Sequence, residues 1–350
     1  MPERAWAHVV EGLLTGRAQP PRKNGLTMVI DKGHGPAATA DLLEMCGDII
    51  DHWKCTFGTS AFVRADVLRR KLLLLASYGV VTYPGGTLLE VAVVRGSCQT
   101  FMQHAHKLGF NAVEISDGTI PLPLYRRRNI IRCAIDHGLT PITEVGKKDP
   151  MQQPTAIELA EQALQDFEWG AEWVTVESRE SGTGIGIYDD NGTVRGDAVV
   201  EISERLGPLV ERLIWEAPLK NQQTYLIQHF GPNVNLGNIP TSELLALESL
   251  RAGLRFETFS QIAAELERTG QWNPATLEEP QPLGSKRTKR IPEDTRNPAT
   301  PEEPQGIPGR PQGYAPTIDE WNPAALEESN PPSSSPMRSS PHGKKEAPDA

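Results

Sequence analysis

From about residue 20 to residue 260, short apolar runs alternate with longer amphipathic stretches. The runs read as strands over Thr27–Lys32, Trp53–Gly58, Val80–Pro84, Ala112–Asp117, Pro141–Gly146, Trp173–Ser178, Leu213–Ala217 and Asn233–Asn238. Between them, stretches such as RADVLRRKLLLLASYG, LYRRRNIIRCAIDHG and TAIELAEQALQDFEWG carry apolar residues at helical spacing. Several such stretches close on glycine, at Gly79, Gly138, Gly170 and Gly207. Glycine enters the left-handed conformation of a helix C-terminus without a β-carbon clash. Eight strand–helix units in about 240 residues match a closed (β/α)8 TIM barrel, an α/β fold, in count and size. An open doubly wound sheet is the structural rival. No GxGxxG follows the first strand, which weakens that rival.

Four consecutive strands carry a glutamate near their C-terminal ends: Glu114 in NAVEISDG, Glu144 in PITEVGKK, Glu177 in WVTVESRE and Glu216 in LIWEAP. Side chains alternate between the barrel interior and the helices. If Val113 and Ile115, and likewise Val174 and Val176, face the helices, then Glu114 and Glu177 face inward, at the active-site end of this fold. Converging carboxylates repel strongly in a low-dielectric site. A hard divalent cation such as Mg2+ would relieve the repulsion, together with Lys32, Lys147, Lys148 and Arg179, which end strands one, five and six. The competing reading is an ion-pair network that plugs the barrel without chemistry.

Three loops add detail. TYPGGT after the third strand offers backbone N–H groups from Gly85 and Gly86, and NLGNIP at the eighth offers those of Gly237 and Asn238. TSELL just beyond begins a capped helix, in the position where barrels often bind phosphate. ESRESGTGIGIYDDNG after the sixth strand is long enough for a lid, with a flexible surface hairpin as the alternative. His34 is the histidine placed at a strand-end loop, and no nucleophile has an adjacent base, so covalent acyl chemistry is not supported.

The chain has 350 residues, 38% hydrophobic, and a formal net charge of −10. That charge argues against nucleic acid as a partner. The basic clusters at 126–128 and 286–290 are short and read as solvated faces. Cys46, Cys55, Cys98 and Cys133 show no paired spacing, which fits a reducing, cytoplasmic setting. The first residues lack a signal-peptide apolar run, and no stretch is apolar enough for a membrane span. A homo-oligomer is possible, although no apolar stripe identifies its interface. Near residue 270 the composition changes: 16 of the 30 prolines fall in the last 80 residues, with few large apolar side chains. The expected organisation is an extension over 1–24, a barrel over 25–262 and a disordered tail over 271–350. The tail holds three degenerate copies, WNPATLEEP, RNPATPEEP and WNPAALEES, which are low-complexity drift or short docking sites built on Trp272 and Trp321.

GLTMVIDKG, KCTFGTS, YPGGTLLE, VEISDGT, TEVGKKD, VESRESGTGIGI, IWEAP and NLGNI occur in order over residues 25–240. Together they resemble the phosphosulfolactate synthase family of coenzyme M biosynthesis, which includes plant heat-stress-associated homologues. The resemblance spans the barrel and none of the tail. It implies a Mg2+-dependent lyase that adds sulfite to phosphoenolpyruvate, giving (2R)-phospho-3-sulfolactate. Under that resemblance Glu114, Glu144, Glu177 and Glu216 form the metal set, and the EVGKK motif supplies the acid, with Lys147 preferred to Lys148. Lys32 joins them as a catalytic residue. Arg179, Lys54, Gly86, Gly237 and Asn238 are the expected substrate-binding set. The alternative is a stress-associated member that acts through protein interaction and keeps the barrel as a scaffold.

Overall fold

A computed structural model of the chain describes residues 4–6 and 16–272. These lie within one compact unit, Met1–Pro292. The expected tail repeats lie outside the described residues, apart from Trp272.

The strands are β1 (Thr27–Asp31), β2 (His52–Cys55), β3 (Val81–Pro84), β4 (Ala112–Ile115), β5 (Thr140–Val145), β6 (Trp173–Val176), β7 (Leu213–Glu216) and β8 (Leu236–Pro240). They form one sheet in the order β3-β2-β1-β8-β7-β6-β5-β4, and every ladder is parallel. β3 packs beside β4 and closes the ring. The Asn111 amide bridges that seam, accepting from Thr82 N at 2.7 Å and donating to Val80 O at 3.4 Å. This is the expected (β/α)8 barrel.

The helices between strands are α1 (Pro36–Cys46), α2 (Ala65–Ser77), α3 (Gly86–Val94), α4 (Cys98–Leu108), α5 (Leu124–Asp136), α6 (Ala156–Trp169), α7 (Gly196–Leu206) and α8 (Lys220–Phe230). After β8 come α9 (Leu244–Arg251) and α10 (Phe256–Arg268). Among the described residues no helix is long and apolar enough to cross a membrane. The glycine stops hold. α6, for example, opens on a Thr155–Glu158 capping box and ends at Gly170, whose φ is 110°.

Two cores follow from strand alternation. Val29, Trp53, Val113, Ile115, Val174, Val176 and Trp215 pack outward against helix residues such as Leu72, Ile131, Ile202 and Leu226. Leu26, Met28, Tyr83, Ala112, Ile142 and Ile214 fill the barrel interior. Each fully buried side chain of this kind stabilises the fold by about 1.5–3 kcal/mol. The parity expected for β4 and β6 is therefore the observed one, and Glu114, Glu144, Glu177 and Glu216 stand above the interior core.

Two strand limits differ from expectation by three residues. β2 stops at Cys55 because Phe57 and Gly58 take left-handed backbone, with φ of 56° and 67°, which breaks the ladder. β8 starts later, at Leu236, and its register with β1 shifts between Thr27↔Leu236 and Val29↔Ile239. The residue Asn238, at φ 55°, takes up that shift as a bulge. Gly237 is closely packed here: a β-carbon would lie 2.5 Å from Met28 Cε and 3.0 Å from Ile214 Cγ2, so those side chains would have to shift to admit one.

Candidate active site

The four glutamates converge at the C-terminal mouth of the barrel, and each is at most 2% exposed. At their centre sits the ammonium of Lys54, projecting inward from β2. Its Nζ lies 2.8 Å from Glu114 Oε1, 3.2 Å from Glu144 Oε2 and 3.1 Å from Glu216 Oε1. Burial alone would strip its proton, yet the surrounding carboxylates, Glu114 foremost, hold it well above the usual lysine range. Lys54 is thus the internal counter-charge of the cluster. Its Nζ donates to Glu144 Oε2 and Glu216 Oε1 and pairs ionically with Glu114, so the lysine expected to bind substrate sits among the carboxylates.

Each glutamate is fixed by further bonds. Glu114 Oε2 accepts the Gly86 N–H at 2.6 Å. A β-carbon on Gly86 would meet Ser116 Cβ at 2.5 Å, so only glycine lets that N–H approach. Glu144 Oε1 accepts from Ser116 Oγ at 2.8 Å. Glu216 Oε2 accepts the Ser178 N–H at 3.0 Å, and Glu177 Oε1 the Arg179 N–H at 2.5 Å. The Gly86 N–H is therefore committed to a carboxylate, and Gly237 serves the interior packing. The Gly86 N–H is thus not the free N–H expected for substrate.

Of the two lysines after β5, Lys148 faces the cluster. Its Nζ is 3.5 Å from Glu144 Oε1 and 3.6 Å from Glu177 Oε2. Glu144 first, and Glu177 after it, raise its pKa against the cost of burial. Lys147 turns the other way, donating to Asp117 Oδ2 at 2.6 Å and Asp117 O at 2.8 Å. Lys32, half exposed, pairs with Glu180. Lys147 and Lys32 are thus not brought into the cluster with Lys148.

The carboxylates split in behaviour. Burial, aided by the charges of Glu144 and Glu216, pushes Glu177 well above the usual carboxylate range. Burial opposes ionisation of Glu144 too, but Lys148 and Lys54 outweigh it and hold this carboxyl low. Burial carries Glu114 up to about 7 despite Lys54. One oxygen from each of Glu144, Glu177 and Glu216 lies within 4.8 Å of the others. Glu177 Oε2 and Asn238 Oδ1 are buried with no hydrogen-bond partner. Three carboxylate oxygens with unmatched acceptors beside them form a donor set of the kind a hard, oxygen-seeking cation takes. Glu114 falls outside that group, bound instead to Lys54 and Gly86.

These groups line a cavity of about 310 Å3 with Ile30, Thr56, Phe57, Thr87, Arg179, Ser181 and Asn238. Arg179 is exposed and has no carboxylate partner among the described residues, so its guanidinium is available to an anion. The segment after β6 is anchored over this mouth: Tyr188 Oη donates to Glu216 O at 2.6 Å, and Gln222 Nε2 to Gly182 O at 2.6 Å. Ile185, Ile187 and Tyr188 are buried, so this loop is packed, unlike a flexible hairpin. The TSELL segment carries no side-chain cap at α9. Thr241 Oγ1 pairs with His34 Nε2 at 3.2 Å. A larger opening of about 1370 Å3 lies at the other end of the barrel, around Arg22, His52 and Trp173, away from the carboxylates.

Two supports escaped the sequence reading. Arg127, from a run read as a solvated face, is buried; it grips Asp166 at 2.8 and 2.6 Å, Asp117 Oδ1 at 3.0 Å and Glu144 O at 2.9 Å. Its neighbours Arg126 and Arg128 are exposed. Asp31 accepts from Gly33 N, His34 N, Trp53 Nε1 and Lys71 Nζ, which fixes the loop after β1. Burial works against its charge, but Lys71 and these donors hold it at about 2.

The sequence matches the family model for (2R)-phospho-3-sulfolactate synthase over residues 15–257. A phosphosulfolactate synthase of Methanothermobacter thermautotrophicus is 42% identical over 251 residues, covering 70% of this chain and 95% of the relative. One from Bacillus subtilis is 37% identical over 246 residues, covering 69% and 95%. The Arabidopsis thaliana protein HEAT-STRESS-ASSOCIATED 32 is 22% identical over 265 residues, covering 67% and 88%. With a carboxylate cavity at the mouth of a (β/α)8 barrel and this extent of match, the chain belongs to the phosphosulfolactate synthase family.

Proposed function

We propose that this chain catalyses the family reaction, the Mg2+-dependent addition of sulfite to phosphoenolpyruvate to give (2R)-phospho-3-sulfolactate. The observation that carries the reading is the cavity itself, with three clustered carboxylate oxygens, two unmatched acceptors and an inward-facing lysine. A barrel kept only as a scaffold has no need of so costly a charge cluster.

Glu144, Glu177 and Glu216 would hold the metal, with Asn238 Oδ1 beside them. When bound there, Mg2+ supplies Lewis-acid stabilisation of negative charge gathering on the substrate carboxylate. Arg179 presents a planar fork to phosphate or sulfite oxygens. The sulfur lone pair forms a C–S bond at the methylene carbon, and the double-bond electrons move to the adjacent carbon and its carboxylate. Lys148 then gives that carbon a proton, and the proton of bisulfite restores the ammonium. A carbanion-like carbon is far more basic than an amine, so a lysine with a raised pKa remains a competent donor. Lys147 positions the Asp117 loop. Lys32, tied to Glu180, borders the mouth.

The test mixes purified chain with phosphoenolpyruvate, sulfite and Mg2+ and follows phosphorus NMR. A new phosphate ester resonance that needs both substrates is expected. Folded protein that leaves phosphoenolpyruvate unchanged rules the assignment out. The second reading, action through protein interaction, rests on the name of the plant relative.

A further inference from the structure

Among the described residues, three that are not glycine have left-handed backbone: Phe57 at φ 56°, Arg179 at 59° and Asn238 at 55°. All three line the carboxylate cavity. This conformation strains any residue with a β-carbon, so it persists only where the surroundings enforce it, and such residues gather at functional sites. Asparagine offsets the strain with local hydrogen bonds. Phenylalanine has no such compensation.

The turn that holds Phe57 is tightly fixed. The Gly85 N–H donates to Cys55 O at 2.9 Å, and Thr59 Oγ1 donates to Thr56 O at 2.8 Å. Gly85 has so little room that a β-carbon would sit 3.3 Å from Thr56 Cα. Yet Phe57 is 54% exposed, so the strain does not serve to bury it. Among the residues lining the cavity, Ile30 and Phe57 alone carry pure hydrocarbon side chains. Ile30 is buried, which leaves Phe57 as the apolar group that a bound molecule can cover.

We propose that Phe57 is a specificity-determining residue. Its ring is held in strained backbone as the apolar wall against the hydrocarbon end of an otherwise anionic substrate. The proposal rests on the reading of this cavity as the phosphoenolpyruvate site. Cations satisfy the phosphate and carboxylate of such a molecule, but its methylene group gains only from an apolar contact. That contact also keeps water away from the carbon that sulfite must reach.

The test compares the Mg2+-loaded wild type with Phe57→Gly and Phe57→Leu, using calorimetric titration with phosphoenolpyruvate and with inorganic phosphate, and thermal melting. Glycine relieves the strained φ, so Phe57→Gly should melt no lower than wild type. It should bind phosphoenolpyruvate about tenfold more weakly, the scale of one lost apolar contact. Its affinity for inorganic phosphate, which has no hydrocarbon end, should be unchanged, and Phe57→Leu should recover most of the loss. Equal binding of phosphoenolpyruvate by wild type and Phe57→Gly overturns the proposal, as does a parallel loss of both ligands. Wild type that fails to bind phosphoenolpyruvate overturns it too. Wild type that binds but makes no sulfonate contradicts the synthase reading alone, and the affinity comparison still decides the role of Phe57.

Discussion

Replacing Lys54 with methionine removes the positive charge at the centre of the cluster and keeps most of the side-chain volume. Three carboxylates then lose a partner that stood 2.8, 3.2 and 3.1 Å away. At an effective dielectric of about 20, each pair is worth roughly 5 kcal/mol before desolvation is counted. Burying the charges offsets most of this in the wild type, so the net cost of breaking such a group is about 3–5 kcal/mol. For a domain of this size that lowers Tm by about 10 °C. Urea unfolding monitored by circular dichroism gives the free energy directly, and calorimetry gives Tm. Adding Glu144→Gln to Lys54→Met should recover a substantial part of the loss, because the carboxylate held ionised in the cluster is then neutral. If Lys54 were a free substrate-binding group, its removal would weaken affinity and leave stability within about 1 kcal/mol of wild type. That result would refute the counter-charge reasoning.

Further outcomes follow from the same geometry. His52 is buried among Tyr83 and Trp173, and burial holds its pKa down at about 3. The unfolded chain therefore binds a proton below about pH 6.5 that the fold refuses, so stability contributed by neutral His52 is present above that pH and falls towards pH 3. His52→Leu should flatten the denaturation curve between pH 4 and 6.5; an unchanged slope contradicts this. Mg2+ should raise the Tm of wild type by several degrees at saturating concentration, and Glu177→Gln should abolish most of that shift in a calorimetric scan. Lys148→Ala should lower turnover at least a hundredfold, whereas Lys147→Ala should keep most of it; the reverse order moves the acid to Lys147.

Much of this architecture was legible in the chain because strand parity is a strict period of two. Val113 and Ile115 face α-helices, so Glu114 must face the interior, and the same logic places Glu177. Glycine stops such as Gly170 mark helix ends for an equally local reason. What stayed hidden depends on distances across the barrel. Nothing near Lys54 in sequence shows that its ammonium reaches carboxylates 60, 90 and 162 residues away. Lys147 and Lys148 follow Gly146, whose φ of 122° ends the strand's alternation, so parity cannot decide which one turns inward. Arg127 reads as part of a basic run, and only its packing against Asp166, Asp117 and Glu144 O separates it from Arg126 and Arg128. The bulge at Asn238 likewise arises from the register of β8 on β1, a property of the closed ring.

The central claim is that this carboxylate–lysine cavity adds sulfite to phosphoenolpyruvate. The most direct test follows phosphorus NMR of wild type, Glu177→Gln and Lys148→Ala side by side, with both substrates and Mg2+, after circular dichroism has shown that all three are folded. The account predicts a phosphosulfolactate resonance from wild type and its near absence from both variants. Product formed by Lys148→Ala at the wild-type rate, or none from folded wild type, would contradict it.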